Sequence, residues 1–389
     1  MIVMMASDWR GGTKDAPGPF LRVVIAGGGT GGHLYPGIAV ARELLKRRPD
    51  TLISFAGTAS GIEARVVPRE GFPLDLLRSG GLKGKSMVDR AHAVALLPLG
   101  MLDAWRIVVA RRPHLVIGVG GYSSGPVVLA AAARGVATML LEQNAVPGLT
   151  NRWLARVVKA AAVTFDSTQA FFGSKAFVSG NPVRPEFFAT AGPHQESGVD
   201  EQTSVTRVLV FGGSQGAHAI NVAMVEAAPR LAAGGPPVRL VHQTGERDVE
   251  MVRTAYRKAG LQADVEPFLY DMGRQLGLAD VVVCRAGATT LAEITAAGKA
   301  AILIPLPGAT DDHQRKNAEA LAAAGASEVL LQRDVTGAVL ADRIAALVAD
   351  RERRQRMAAA ARRLAKPDAA KVIVQRAFEI ADRRLSDRR

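Results

Sequence analysis

Arg22-Val-Val-Ile-Ala-Gly-Gly-Gly-Thr-Gly-Gly-His33 and Arg207-Val-Leu-Val-Phe-Gly-Gly-Ser-Gln-Gly-Ala-His218 align position by position at an offset of 185 residues. Each copy is a short apolar run, a glycine turn and an amphipathic stretch, Ile38 to Leu45 in the first and Ile220 to Leu231 in the second. Strand, tight turn and helix in that order open a doubly wound sheet. The chain therefore reads as α/β, with two Rossmann-like doubly wound parallel-sheet domains facing a cleft. In such sheets ligands sit at the carboxyl ends of the strands, so both glycine turns should point into it.

Outward from the turns, each half alternates strands and helices. The expected strands are Leu52 to Ala56, Leu115 to Val119, Thr138 to Glu142 and Ala162 to Phe165, then Val238 to Gln243, Val281 to Cys284 and Ala301 to Pro305. They are continuous apolar runs, as strands buried on both faces should be. Pro182, Pro185 and the polar stretch from Ala191 to Thr206 read as a linker. The expected organisation is a flexible tail over 1–19, a first domain over 20–184, a linker over 185–206, a second domain over 207–366 and a C-terminal helix over 367–389.

The 389 residues suggest about two domains, and 48% hydrophobic with 22% charged residues is globular composition. The single cysteine, Cys284, excludes a disulfide framework and a cysteine-rich metal site. It follows Val281 to Val283 and is expected to be a buried small hydrophobe in a reducing compartment. No stretch reaches the ~18 apolar residues that span a bilayer, and Met1 to Ala6 is too short for a signal-peptide core. A cytosolic protein is expected.

The net charge is +13, and residues 1–190 hold 22 Lys+Arg against 12 Asp+Glu, or +10 of it. A basic first half suits an anionic partner, while 5% aromatics leave few platforms for stacking nucleobases, so no nucleic acid is expected.

Three familiar motifs fail on inspection. Gly27-x-Gly29-x-x-Gly32 fits a dinucleotide fingerprint, but Ala56-Gly57-Thr58 stands where the ribose-binding acid belongs. Gly212-x-Ser214-x-Gly216 fits a nucleophile elbow, yet the repeat puts Gly29 at the serine's position and explains the turn without a nucleophile. Gly84-Lys85-Ser86 would end a P-loop only if residue 79 were glycine, and it is Ser79. What survives in both turns is glycine backbone at a helix N-terminus, which suits phosphate oxygens. No Asp-x-Asp pair offers a metal–nucleotide clamp, so no metal or cofactor is expected, and helix ends with Arg184 would stabilise a departing diphosphate.

Five further segments carry polar groups at expected strand ends: Gly120-Gly-Tyr122-Ser-Ser-Gly125, Glu142-Gln143-Asn144, Gly180-Asn-Pro-Val-Arg184, Arg285-Ala-Gly-Ala-Thr-Thr-Leu-Ala-Glu293 and Asp312-His-Gln314. With the two glycine turns, this ordered set closely resembles the MurG family, from about Arg22 to Lys366. The resemblance implies the glycosyltransferase type B fold, with residues 367–389 free to return to the first domain as that family's last helix often does. It implies inverting transfer of N-acetylglucosamine from UDP-N-acetylglucosamine to the muramoyl-pentapeptide of a polyprenyl-diphosphate lipid in peptidoglycan synthesis. It places the chain peripherally on the cytoplasmic face of a bacterial inner membrane.

Residue by residue, the resemblance puts Thr30, Gly31, Gly32, Asn144, Arg184, Ser214, Ala288, Thr289, Glu293 and Gln314 on the donor. Asn144 and Gln314 match sugar contacts, Arg184 and Ser214 diphosphate contacts, Ala288 and Thr289 the uracil loop, and Glu293 the ribose contact. Gly28, Gly29, Tyr122 and Ser123 fall on the acceptor side. His313 departs from some relatives, which carry glutamine there. Chemistry agrees: a carboxylate at Glu293 can accept from two vicinal hydroxyls, and Asn144 offers both donor and acceptor to an acetamido sugar. His33 ends the first turn, and an ordinary histidine pKa of ~6.5 leaves it mostly neutral at neutral pH, as a base must be. A cationic contact to the acceptor's diphosphate is the alternative, and the histidine repeated at His218 weighs for a purely local role.

Between Leu82 and Arg112 basic residues mix with aliphatic ones. Lys83, Lys85, Leu97, Leu102 and Trp105 form a candidate patch for an anionic membrane surface. Pro98-Leu-Gly100 is expected to break any long helix there.

Overall fold

The structure, a computed structural model, describes residues 20–79, 87–189, 205–213, 216–234, 236–308 and 312–386. It divides into two compact units, the first running to Val183 and resuming at Asp368, the second spanning Arg184–Pro367.

Unit 1 is built on β1 (Arg22–Gly27), β2 (Leu52–Gly57), β3 (Leu74–Leu76), β4 (Leu115–Gly120), β5 (Ala137–Glu142), β6 (Ala160–Val163) and β7 (Ala176–Val178). They form one sheet in the order β3-β2-β1-β4-β5-β6-β7, with every pairing parallel. The helices are α1 (Gly31–Arg47), α2 (Glu63–Arg69), α3 (Met87–Arg111), α4 (Ser124–Ala133), α5 (Leu149–Leu154) and α6 (Asp166–Phe172). Unit 2 opens with α7 (Glu186–Ala189), followed by β8 (Thr206–Phe211), α8 (His218–Ala233), β9 (Val238–Gln243), α9 (Val249–Ala259), β10 (Gln262–Glu266) and α10 (Met272–Leu278). It continues with β11 (Val281–Cys284), α11 (Ala288–Ala297), β12 (Ala300–Leu303), α12 (His313–Ala323), β13 (Ser327–Val329), α13 (Gly337–Ala349) and α14 (Arg351–Leu364). Its sheet runs β10-β9-β8-β11-β12-β13, again all parallel.

Both sheets reverse winding beside the strand that carries the glycine turn, so the sequence repeat is a repeat of topology. Central strands such as Val281–Cys284 and Ala137–Glu142 are buried along their whole length, which explains their unbroken apolar runs. The last helix, α15 (Ala369–Ser386), belongs to unit 1 and packs on α1. It buries Ile373, Val374, Ala377 and Ala381 beside Leu34, Ile38 and Leu44. Arg48 then holds Asp382 through two bonds of 2.8 and 3.1 Å, which positions the helix end.

Three local expectations change. The strand expected over Ala162–Phe165 is β6, two residues earlier; Phe165 is already the N-cap of α6, so the chain has left the sheet. Part of the expected linker is ordered: α7 packs on α10 and α11 of unit 2, and β8 begins at Thr206. Pro98 does not end its helix. α3 runs through it for 25 residues, because Ala104, Ile107 and Val108 are buried with α4 and the sheet. That packing offsets the roughly 3 kcal/mol of an interior proline. The tail over 1–19 and the stretch Ala191 to Val205 lie largely outside the described residues, as do Lys83, Lys85 and Ser214.

Candidate functional site

In unit 1 the polar residues gather where neighbouring strands β1, β4 and β5 end. After β1, Gly28 and Gly29 take positive φ angles of 154° and 83°, and Thr30 is the N-cap of α1. Thr30 is exposed and its side chain makes no cap bond, while the first turn of α1 holds no acidic residue. The helix itself therefore contributes no carboxylate to the positive end of its dipole. Behind the turn lies Glu63, a residue the sequence reading passed over. Its carboxylate, 1% exposed, accepts the N–H of Gly29 at 2.8 Å and the N–H and hydroxyl of Thr58 at 2.9 and 2.8 Å. Gly28, Gly57 and Gly61 surround it, and a Cβ on any of them would overlap that side chain.

His33 sits in the first turn of α1, its Nδ1 3.2 Å from Oε1 of Gln143. Gln143 is buried at the end of β5, and its Nε2 donates to the carbonyl of Val119 at 3.0 Å. Glu142 turns the other way. It accepts from the backbone and side chain of Asn144, from the N–H of Gly148 and from Asn151 at 2.8 Å, and so shapes the loop that presents Asn144. After β4, Tyr122 is 46% exposed whereas Ser123 is 2% exposed, so of that expected acceptor pair only the tyrosine offers surface.

Unit 2 repeats the arrangement at the ends of β8, β11 and β12. Ala288 and Thr289 occupy the first turn of α11, which holds no acidic residue, and Glu293 follows on the same helix. Burial pushes the Glu293 carboxyl up to about 7, opposed by nearby Arg184 and assisted by Glu186. Glu293 as a whole residue is half-buried, while its carboxyl is desolvated. Arg184 pairs with Glu186 at 3.0 Å and lies 5.0 Å from the ring centre of Phe187. Gln314 accepts the N–H of Leu306 at 3.0 Å and ties the loop after β12 to α12. Arg285 bonds the carbonyls of Ile304 and Pro305 and the side chain of Gln332, fixing the base of the same loop.

The second histidine of the repeat has a different partner. His218 Nδ1 lies 2.9 Å from Asp248, which also accepts from Asn221 at 2.8 Å. Burial works against the Asp248 charge, yet the bonds from Asn221 and His218 hold its carboxyl below the ordinary range. Asn221 continues to His242, and His242 to the Tyr256 hydroxyl at 2.7 Å. Burial drives His242 down to about 3, so the imidazole between Asn221 and Tyr256 is neutral. Among the described residues no group of three His, Cys, Asp or Glu could hold a metal ion.

α4 packs against α3 and α5, and the three cover one face of the unit 1 sheet. On its outer side α3 exposes Leu97, Leu102 and Trp105, the tryptophan 42% exposed and 5.1 Å from the Arg134 guanidinium. Trp153 on α5 is 70% exposed, and Leu149 and Val157, four residues to either side, are exposed too. Between Glu142 and Asp166 the chain carries Arg152, Arg156 and Lys159 and no acidic residue. No helix among the described residues is long and apolar enough to cross a membrane.

Residues 23–163 match the glycosyltransferase family 28 N-terminal domain and residues 207–373 the family's C-terminal domain. A relative from Anaeromyxobacter dehalogenans (strain 2CP-C) is 48% identical over 366 residues, 94% of each chain. One from Myxococcus xanthus (strain DK1622) is 46% identical over 352 residues, 90% of this chain and 91% of that one. Both are named UDP-N-acetylglucosamine–N-acetylmuramyl-(pentapeptide) pyrophosphoryl-undecaprenol N-acetylglucosamine transferase. The crystal structure of Acinetobacter baumannii MurG superposes with a TM-score of 0.76 at 32% identity, covering 92% of this chain and 99% of that one. A UDP-N-acetylglucosamine 2-epimerase superposes at 0.61 with 12% identity over 92% of this chain and 95% of that one, a likeness of fold alone.

Proposed function

We propose, from the premise that this chain belongs to glycosyltransferase family 28, that it transfers N-acetylglucosamine from UDP-N-acetylglucosamine to N-acetylmuramyl-(pentapeptide) pyrophosphoryl-undecaprenol. The observation that carries this reading is 48% identity, over 94% of both chains, to a transferase of that name. The fold is the type B arrangement of two Rossmann-like parallel-sheet domains.

In the reaction an acceptor hydroxyl oxygen attacks the anomeric carbon of the donor sugar. The bond from that carbon to the diphosphate oxygen breaks, its electron pair leaves with UDP, and the hydroxyl proton passes to Nε2 of His33. Attack opposite the leaving group inverts the anomeric centre. Charge grows on UDP as the bond breaks, and Arg184, Ser214 and the acid-free first turns of α8 and α11 answer it. Glu293 accepts the ribose hydroxyls, and Ala288 and Thr289 hold the uracil. Asn144, Gln314 and the Thr30–Gly32 turn contact the donor sugar. Gly28, Gly29 and Tyr122 serve the acceptor side, with Ser123 buried behind the tyrosine.

The acceptor is a lipid, and the exposed apolar residues of α3, with Arg106 next to Trp105 in sequence and Arg134 against its ring, are suited to dock on an anionic bilayer with Trp105 at the headgroup level. Lys83 and Lys85 extend that charge in sequence. Docking there places the chain peripherally on the cytoplasmic leaflet of the inner membrane.

The test is to incubate the purified chain with UDP-N-acetylglucosamine and the lipid-linked muramoyl-pentapeptide. Disaccharide-lipid and UDP in equal amounts are expected. Conversion of the donor sugar without any acceptor lipid would instead favour an epimerase on the same fold.

A further inference from the structure

We infer that Gln143 is a positioning residue for the transfer: its side-chain carbonyl holds His33 in the tautomer with the proton on Nδ1 and the lone pair on Nε2. The inference rests on reading His33 as the base and adds the group that presents its basic nitrogen.

A carboxamide has one donating end and one accepting end. The Gln143 nitrogen lies 3.0 Å from the Val119 carbonyl, which can only accept, so this end is the donor. The other end, 3.2 Å from Nδ1 of His33, is therefore the oxygen, and an oxygen only accepts. Nδ1 must then carry the proton. A neutral imidazole has one N–H, so Nε2 holds the lone pair.

The pocket is made for that ring. Gly120 ends β4 with a φ of 98°, and a Cβ there would stand 2.7 Å from Nδ1. Gln143 is 2% exposed, so water does not compete for its amide, and Val119 is fully buried. The carboxylates on the adjoining elements are engaged elsewhere. Glu63 of α2 is bonded to Gly29 and Thr58, and Glu142 of β5 to Asn144, Gly148 and Asn151. The first turn of α1 contributes no acid. A neutral partner orients the ring without stabilising its protonated form as a carboxylate would, which suits a group that must start neutral. The equivalent histidine of the repeat, His218, has a carboxylate at that nitrogen instead.

The test uses the full chain with Gln143→Leu, Gln143→Glu and His33→Gln. It reads kcat, both KM values, the pH–rate profile and the ¹⁵N spectrum of the histidine rings. In the wild type the neutral His33 ring should show its proton on Nδ1. Gln143→Leu should lose about ten- to a hundred-fold in kcat with donor KM kept within about twofold. Gln143→Glu should restore part of the rate at high pH and move the acidic limb about one pH unit upward, because a carboxylate stabilises the imidazolium. A wild-type proton on Nε2 overturns the inference. So does a Gln143→Leu variant with kcat within about twofold and an unmoved acidic limb, while His33→Gln is impaired; the base then stands and Gln143 alone falls. If His33→Gln keeps kcat within about tenfold, the base reading fails and the positioning role falls with it.

Discussion

The carboxylate of Glu63 receives the backbone N–H of Gly29 at 2.8 Å, 34 residues distant in the chain. One buried side chain thereby sets the backbone of the turn that leads into α1, and binds the same turn to the end of β2 through Thr58. Glu63→Ala should lower stability by about 2–4 kcal/mol, since it leaves buried donors without their charged acceptor. It should also slow transfer, because the turn loses its brace. Urea unfolding and kcat measured on the folded fraction check both effects. Unchanged kcat with reduced stability would confine Glu63 to a structural role.

UDP binding should depend on pH through Glu293. Its carboxyl titrates at about 7 in the unliganded chain, raised by burial against the pull of Arg184. Two donating hydroxyls favour the ionised form, so binding lowers that pKa and releases a proton. Affinity should therefore rise with pH up to about 7 and flatten above, falling by up to about tenfold per unit below. Calorimetric titration of UDP from acidic to mildly alkaline pH reads this directly. Glu293→Gln should weaken binding and abolish the slope; a slope that survives would assign it to another group.

Arg184→Ala should act on the same limb. Its guanidinium holds the Glu293 carboxyl down, so its removal should move the titration to higher pH as well as weaken the diphosphate contact. A donor KM raised about tenfold or more is expected for the loss of a charge-assisted bond. If KM rises with the pH limb unmoved, Arg184 does not reach Glu293.

Gly120→Ala should reproduce much of the loss expected on removing the His33 imidazole. The added methyl stands against Nδ1, and the residue's φ of 98° is unfavourable for any side chain. Strain of this kind costs about 1–3 kcal/mol. A kcat close to the wild type would mean that the ring has room to move and still work.

Replacing Leu102 and Trp105 together by serine should weaken binding to vesicles of anionic phospholipid by about tenfold or more. The two side chains are exposed, so folding should be little affected, and each is worth roughly 1.5–3 kcal/mol when fully buried. Trp153→Ser reports whether α5 shares the surface. Sedimentation with vesicles at two salt concentrations separates the apolar from the electrostatic part. Undiminished sedimentation of the double variant would remove α3 from the docking face.

The sequence by itself determined the two doubly wound sheets, because a buried parallel strand must be apolar throughout and a glycine turn before a helix repeats at Gly27 and Gly212. The edge strands Leu74–Leu76, Ala176–Val178, Gln262–Glu266 and Ser327–Val329 left no such mark, being short and only partly buried. The family, and with it the reaction, was legible in polar residues placed after strand ends, such as Asn144, Arg285 and Glu293. Which partner each of those residues meets was not. Glu63 carries no local signal beyond an acid in the first turn of α2, and Gln143 stands in a quoted motif without an evident task. Their roles come from hydrogen bonds between segments 34 and 110 residues apart. Likewise His33 and His218 are equivalent in sequence, yet one meets a carboxamide and the other a carboxylate. Periodicity records which face of an element is buried, a local property of the chain. Hydrogen-bond partners and the desolvation that moves Glu293 to about 7 arise only when distant strands lie side by side, and those the tertiary structure alone decided.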